Sequence, residues 1–229
     1  EATRAAASTG KGRNCIGPSY AASDKESACV PPVQFGAAQL DGGLSADQVG
    51  FTFVQVRAAR EADAEALARV HVDTWRAAYQ GLMPQEYLDG LDPAERAARW
   101  RQALGSPGSP FTAVVLEDES GTVVGFATVG PGEDDDAADP TVGLVGAMYV
   151  LSTHWRLGGG RLLMAEAIRL LSSAGCREAT LWVLESNQRA RRFYEAAGWR
   201  ADGGHKIDES FGFPMALVRY RRPLDQPER

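Results

Sequence analysis

Three consecutive glycines, at positions 158–160, separate a strand-like segment from a helix-like segment, and this order constrains the fold more than any other feature of the chain. The preceding residues, VGLVGAMYVL, predict a strand, and apolar residues recur after the glycines at the spacing of one helix face. A glycine loop at such a junction presents unobstructed backbone N–H groups at the positive end of a helix dipole. The triplet therefore indicates an anion site, although a tight turn that requires glycine would also explain it.

The spacing of these glycines does not fit the common nucleotide motifs. It is neither GxGxxG in the dinucleotide register nor the P-loop pattern GxxxxGK followed by Ser or Thr. A nucleotide-binding module that uses the same loop remains an alternative, which competition between ATP or NAD and coenzyme A for binding would test.

The chain divides into a tail and a folded part. Residues 1–50 are rich in Ala, Gly, Ser and Pro without a sustained period, which predicts a low-complexity N-terminal tail. From Phe51 the alternation in FTFVQVR predicts a strand, and strand and helix signals alternate from there onward. We therefore expect one α/β (α+β) domain at 51–222 and a short C-terminal tail at 223–229.

Composition excludes several classes of protein. The 24 Lys and Arg residues against 30 Asp and Glu give a net charge of −6, which argues against a basic nucleic-acid-binding domain. No stretch approaches the roughly 18 consecutive apolar residues of a membrane-spanning helix. We expect neither nucleic acid nor membrane as a partner.

The cysteines are few and scattered, at Cys15, Cys29 and Cys176. This number and spacing fit neither a disulfide scaffold nor a Cys-rich zinc site, so we expect a cytoplasmic protein without a metal. Whether Cys15 and Cys29 pair is left open.

A longer pattern is more specific than the glycines alone. It runs Tyr149-Val150, then Gly158-x-Gly160-Arg161 opening a helix, then Leu181-x-Val183-x-x-x-Asn187-x-x-Ala190-x-x-Phe193-Tyr194-x-x-x-Gly198-Trp199. Over about residues 53–222 this order resembles the GCN5-related N-acetyltransferase (GNAT) superfamily, in its small-molecule branch. The resemblance implies a mixed, mostly antiparallel sheet of about seven strands, flanked by about four helices and splayed between the strands at Met148 and Leu181.

The resemblance implies acetyl-CoA as cosubstrate. In the family the glycine loop binds the pyrophosphate, the pantetheine arm lies along the strand before it, and a backbone N–H of that strand polarises the thioester carbonyl. A local charge of +4 from His154 to Arg200, in a protein of −6, agrees with a polyanionic ligand. The implied contacts are Met148, Tyr149, Val150, Trp155, Arg156, Leu157, Gly158, Gly159, Gly160, Arg161, Asn187 and Tyr194.

Tyr194 matches the family's general acid, which protonates the departing thiolate. A phenol with a pKa of about 10 is well matched to a thiol, while a core tyrosine is the competing explanation. Asn187 matches the family's Asn at the start of the same helix, where it would bind pantetheine, cap the helix, or both.

Two positions depart from the family pattern. Trp155 stands where Gln or Arg is usual and cannot donate several hydrogen bonds to phosphate, so Arg156 is the expected substitute. The strand before the loop has no acid, and Leu144 occupies the register where a Glu base is often found.

The general base is therefore open. Candidates are Glu185, His71 and the acidic loop residues Glu133, Asp134, Asp135, Asp136 and Asp139. Simpler explanations are a helix-orienting Glu185, a buried structural His71 and a solvated loop. An amine of modest pKa could also lose its proton to water.

Trp75 and Tyr79, with His71, are expected to shape the acceptor pocket, and the acidic loop suggests a small cationic acceptor. The predicted function is transfer of acetyl from acetyl-CoA to a primary amine of a small molecule, by direct attack in a ternary complex of a homodimeric enzyme. No cysteine stands where a nucleophile would be expected. The alternatives are a protein N-terminal or lysine acetyltransferase, and an inactive acyl-CoA-binding regulatory module.

Overall fold

The computed structural model describes residues 55–224. The predicted tail at 1–50, Cys15, Cys29, the start of the predicted first strand and residues 225–229 lie outside that range.

The described chain has seven strands and five α-helices. Their bounds are β1 Gln55–Ala58, α1 Ala64–Ala78, α2 Gln85–Asp89, α3 Pro93–Gly105, β2 Thr112–Glu117, β3 Val123–Pro131, β4 Val142–Val150, α4 Gly159–Ser173, β5 Glu178–Leu184, α5 Gln188–Ala196, β6 Arg200–Asp208 and β7 Met215–Pro223. The predicted α/β class and the seven-stranded mixed sheet are confirmed. The helix beyond the expected four is α2, whose five residues are too few to show a helical period.

The strands form one sheet in the order β1-β2-β3-β4-β5-β7-β6. Neighbours are antiparallel except β4 and β5, which run parallel. The parallel pairing stops at Leu144 and Thr180, although β4 continues to Val150 and β5 to Leu184. The predicted splay is therefore present, and it leaves one edge of β4 without a strand partner.

Local sequence signals explain how the helices begin. Asp92 precedes Pro93 and accepts a hydrogen bond from the Ala94 N–H at 2.8 Å, which caps α3. Asn187 accepts from the Ala190 N–H at 3.1 Å and caps α5 in the same way. Gly158 precedes α4 with a φ of +93°, a conformation that favours glycine.

Helices cover both faces of the sheet. On one face α4 and α5 pack against β5 and β7 around Leu171, Trp199 and Tyr220. On the other, α1 and α3 pack against β2 and β3 around Leu67, Trp100 and Phe126. At the end of the described chain, β7 continues to Pro223 and the Leu224 side chain is buried.

Within residues 55–224, no helix combines the length and the apolar character needed to cross a membrane.

Candidate active site

A cavity of about 810 Å³ lies where β4 and β5 stop pairing. This volume suits the reactive arm of a large ligand together with a small second molecule. One part of its wall comes from β4, the loop before α4 and the first turns of α5. The other part comes from α1, β5 and the connection between β6 and β7.

The wall formed by β4 contains a β-bulge. Thr128 of β3 faces Ala147 and Val129 faces Val145, so Gly146 is the extra residue. Met148, Tyr149 and Val150 follow it along the same wall. Beyond Leu144 the edge of β4 that faces β5 has no strand partner, so its backbone groups are available to an extended ligand.

A different structural reason explains why glycine occupies each of the three positions of the loop. Gly158 takes the left-handed conformation at the start of α4. A Cβ on Gly159 would come within 2.5 Å of the buried Leu116 side chain, so close packing excludes any larger residue there. A Cβ on Gly160 would meet only the Phe193 ring, at 3.4 Å, which is ordinary contact. Since Gly158 and Gly160 line the cavity, the free N–H groups of the first helical turn lie beside it.

Positive charge is concentrated beside the glycine loop. Arg156, Arg161 and Arg189 all line the cavity, and within the described chain none of them is paired with a carboxylate. The Arg189 guanidinium carbon lies 3.2 Å from the centre of the Trp155 ring, and the Trp155 indole N–H donates to the Val150 carbonyl at 2.7 Å. This part of the site therefore fits a polyanionic group.

The Tyr194 side chain lines the cavity from α5. Its ring packs beside Phe193, Trp199 and Tyr220, with ring centres 5.5, 6.4 and 6.3 Å away. Its hydroxyl makes no hydrogen bond within the described chain, so it is free to bind a ligand. Burial, and to a smaller degree the nearby Tyr149 phenol, raises the pKa of Tyr194 well above the usual range. The hydroxyl consequently stays protonated at neutral and moderately alkaline pH.

Aromatic rings line the part of the cavity formed by α1, β5 and the connection between β6 and β7, here named the aromatic end. Trp75 lies 5.2 Å from Tyr79 and 5.5 Å from Phe211, measured between ring centres. Trp182 contributes a further ring from β5. Burial raises the pKa of Tyr79 well above its usual value, and the neighbouring Tyr149 and Tyr194 phenols raise it further.

Comparison with known proteins agrees with this geometry. The model of the acetyltransferase (GNAT) family matches residues 69–199, more than half of the chain. The chain belongs to the GNAT family. It is 34% identical to the uncharacterized N-acetyltransferase YuaI of Bacillus subtilis over 143 residues, which are 62% of this chain and 78% of YuaI. The predicted membership of the GNAT superfamily is confirmed, and the protein is an N-acetyltransferase.

Solved GNAT structures share the fold. YncA from Salmonella typhimurium, solved with its cofactor acetyl-CoA, aligns with a TM-score of 0.56 at 22% identity, covering 78% of this chain and 98% of YncA. A ribosomal-protein-alanine N-acetyltransferase from Brucella melitensis aligns with a TM-score of 0.57 at 25% identity, covering 74% of this chain and 99% of that one.

Most of the residues singled out from the sequence line the cavity of this GNAT domain. They are Trp75, Tyr79, Met148, Tyr149, Val150, Trp155, Arg156, Gly158, Gly160, Arg161, Asn187 and Tyr194. Leu157 and Gly159 do not. Leu157 is 44% exposed, and Gly159 is buried against Leu116.

Two candidates for the general base also lie outside the cavity lining. Glu185 follows the end of β5 with an exposed side chain, and its backbone N–H donates to Ala216. His71 is fully buried among the rings of Trp75, Phe126 and Tyr149, and neither ring nitrogen has a hydrogen-bond partner in the described chain. Burial and the charge of Arg96 hold the pKa of His71 well below its usual value, so the ring is neutral.

The acidic loop between β3 and β4 is largely committed to ion pairs. Asp136 pairs with Arg219 at 3.1 Å and with Arg221 at 2.8 Å, and Asp134 pairs with Lys206 at 2.6 Å. Burial raises the pKa of Glu133 to about 7. None of the loop's acids lines the cavity.

Several lining residues of this GNAT site were not singled out from the sequence, among them Gly146, Trp182, Arg189 and Phe211. An isolated glycine inside a strand indicates a bulge, and that signal could have identified Gly146. The sequence indicated Arg189 only as one of the residues that give the segment from His154 to Arg200 its positive charge. Trp182 and Phe211 reach the site through tertiary packing, which no local sequence pattern indicates.

Within residues 55–224, no three His, Cys, Asp or Glu side chains converge as metal ligands would.

Proposed function

We propose that this GNAT enzyme transfers acetyl from acetyl-CoA to a primary amine of a small molecule, by direct attack in a ternary complex. The observation that carries the proposal is the Tyr194 hydroxyl. It has no hydrogen-bond partner among residues 55–224, and its side chain lines the same cavity as the unpaired edge of β4 and the glycine loop. A proton donor, an anion site and an extended-chain edge in one cavity are the three features that acyl transfer from a CoA thioester requires.

The cosubstrate would bind along the cationic part of the cavity. The N–H groups at the start of α4 and the unpaired arginines suit the pyrophosphate, and the free edge of β4 suits the amide-containing pantetheine. The side-chain amide of Asn187 caps α5 through its oxygen, which leaves its NH₂ group as a donor for pantetheine. A backbone N–H beside the Gly146 bulge would polarise the thioester carbonyl.

Tyr194 would protonate the leaving sulfur. As the amine nitrogen attacks, the C–N bond forms, the C–S bond breaks, and the phenol proton passes to the thiolate. The proton lost by nitrogen restores the phenol, so the reaction balances. The pKa of Tyr194 is above that of a free phenol, but the same burial also raises the pKa of a thiol beside it, which keeps donor and acceptor matched.

Direct attack is favoured over an acyl-enzyme. Cys176 is the one cysteine of the described chain, it is buried, and it lies just after α4, at the opposite end of that helix from the glycine loop. Burial also raises the pKa of its thiol, which makes it a poor nucleophile. No cysteine of the described chain lines the cavity.

A protein acceptor is the second candidate, since the solved structures of this fold include a ribosomal-protein-alanine N-acetyltransferase. A polypeptide needs an open groove. Here Phe211, which is 6% exposed, and Met83, which is 8% exposed, both line the cavity and pack into one buried apolar cluster. These two side chains favour a small acceptor.

Two measurements on the full chain test the proposal. Thermal shift should show binding of acetyl-CoA, because a ligand at about 100 times its Kd stabilises the folded state by ~2.7 kcal/mol. Release of free thiol should then depend on added amine, with mass spectrometry identifying the acetylated product. Binding without transfer to any amine or peptide would favour a regulatory module. Transfer only to peptides would favour the protein acceptor.

A further inference from the structure

We propose that the acceptor is a monoamine with an aromatic or other apolar body, and that polycationic amines are poor substrates. The proposal rests on the proposed function and specifies its substrate class. It narrows the expectation of a small cationic acceptor, which the acidic loop suggested, to amines with a single amino group.

The first argument is the separation of charge within the cavity. The arginines that line it, Arg156, Arg161 and Arg189, all belong to the part formed by the glycine loop and α5. The aromatic end is lined by neutral side chains, and no carboxylate of the described chain lines any part of the cavity. A second ammonium group on the acceptor would therefore meet repulsive cations, or ring faces without a carboxylate to neutralise its charge, so its lost hydration would be only partly offset.

The second argument concerns the acids that could have attracted a polycation. Asp134 and Asp136 are paired with Lys206, Arg219 and Arg221, as described above. Lys206 also lies 4.2 Å from the centre of the Trp182 ring, yet it does not line the cavity. The acidic loop thus neutralises the cations that pack against Trp182 from outside the cavity. The remaining surface of the Trp182 ring is available to the acceptor.

The third argument is the shape and polarity of the aromatic end. Trp75, Tyr79, Trp182 and Phe211 supply ring surfaces that suit a flat apolar body.

This environment also explains how an acceptor can react although no carboxylate of the described residues lines the cavity. An apolar surrounding disfavours the charged form of an amine and lowers its pKa. The acceptor therefore binds as the neutral, nucleophilic amine after losing its proton to water. A diamine would have to lose two protons, or bury one charge without a partner.

Matched amines test the inference directly. With acetyl-CoA saturating, thiol release is measured for hexylamine and 1,6-diaminohexane, which differ by one ammonium, and for 2-phenylethylamine and spermidine. We expect kcat/KM to be about 10-fold or more higher for hexylamine than for the diamine, because a buried charge without a partner is costly. 2-Phenylethylamine should be the best of the four.

A charge introduced at the aromatic end should change the preference. Met83→Glu adds a carboxylate to the lining, and Met83→Gln is the uncharged control of the same shape. Only Met83→Glu should improve kcat/KM for 1,6-diaminohexane relative to hexylamine. The thermal shift caused by acetyl-CoA verifies that both variants are folded.

The outcomes separate the two proposals. Equal or better use of diamines by the wild type would overturn the inference and leave acetyl transfer intact. Transfer confined to peptides would also overturn it. No transfer to any amine or peptide, with acetyl-CoA bound, would overturn the proposed function and this inference with it.

Discussion

The Arg189 guanidinium carbon lies 3.2 Å from the centre of the Trp155 ring, which joins the first turn of α5 to the loop before α4 beside the cavity. The Trp155 N–H is bonded to the Val150 carbonyl, so the ring is fixed at the end of β4. Trp155 stands where the family usually has a phosphate-binding polar residue. In this protein the ring packs against the guanidinium of Arg189 in α5, and we propose that this guanidinium supplies the positive charge for the phosphate.

We therefore expect Arg189→Ala and Trp155→Ala to weaken acetyl-CoA binding by roughly 10-fold each, within the range of cation–π and ionic contacts. The double variant should lose less than the product of the two effects, because Trp155 acts through Arg189. Arg192→Ala, an exposed arginine of the same helix, is the control and should leave Kd unchanged. Isothermal titration at low and high salt measures these values, and fully independent effects would contradict the coupling.

Gly160→Val should abolish acetyl-CoA binding and keep the fold. A Cβ at this position meets only the Phe193 ring at contact distance, so the added side chain obstructs the loop without a clash in the core. Gly159→Ala is the contrast, because its Cβ would lie 2.5 Å from Leu116 and should lower the melting temperature even without ligand. Thermal shift with and without acetyl-CoA distinguishes the two. A normal ligand-induced shift in Gly160→Val would refute the anion site.

His71→Leu should make the folded protein less sensitive to acid. Folded His71 stays neutral because its pKa is well below 6.5, whereas the unfolded chain takes up a proton below about pH 6.5. Wild-type stability should therefore fall as the pH drops from 8 to 5, and the variant should lack this contribution to the fall. Urea unfolding at both pH values measures the difference. If His71 were the general base, the variant would lose turnover; we expect it to keep most of its activity.

Glu133→Gln should change stability in the opposite pH direction. The pKa of Glu133 is raised from 4.5 to about 7, mainly by burial. The folded state thus holds a proton that the unfolded chain has released, and wild-type stability from this group falls as the pH rises from about 4.5 to 7. The variant should lack that decline in urea unfolding. Turnover of the variant should be unchanged, because Glu133 does not line the cavity. If the variant loses turnover, and if the wild-type rate falls as the pH drops below about 7, Glu133 would be identified as a base.

The sequence predicts those parts of the site that depend on neighbouring residues. The glycine loop, the Asn187 cap and the position of Tyr194 each follow from a short pattern on one strand or helix. The ion pair between Asp136 and Arg221 joins residues 85 positions apart, and no local pattern indicates it. This pairing is why the acidic loop, which suggested a cationic acceptor, contributes no carboxylate to the cavity.

Glu185 is a second residue whose position relative to the cavity could not be predicted from local sequence. It follows β5 beside the candidate site in the sequence, but it lies in the turn before α5, where its side chain is exposed. Phe211 reaches the cavity from the connection between β6 and β7, and only the packing of Trp75 against it shows that role.

The central claim is that Tyr194 protonates the leaving thiolate, and the turnover of Tyr194→Phe tests it most directly. The change removes one hydroxyl that has no hydrogen-bond partner in the described part of the chain, so packing and acetyl-CoA affinity should be nearly unchanged. Tyr220→Phe is the matched control, since its ring lies 6.3 Å from Tyr194 and its hydroxyl bonds Arg191 and Glu195 outside the cavity lining.

We predict that kcat for thiol release falls by about 10²-fold or more in Tyr194→Phe, equivalent to ~2.7 kcal/mol of barrier, and stays near wild type in Tyr220→Phe. Because the pKa of Tyr194 is raised, its ionisation should not reduce the wild-type rate below about pH 10. Near wild-type turnover in Tyr194→Phe, with acetyl-CoA bound normally, would contradict the account.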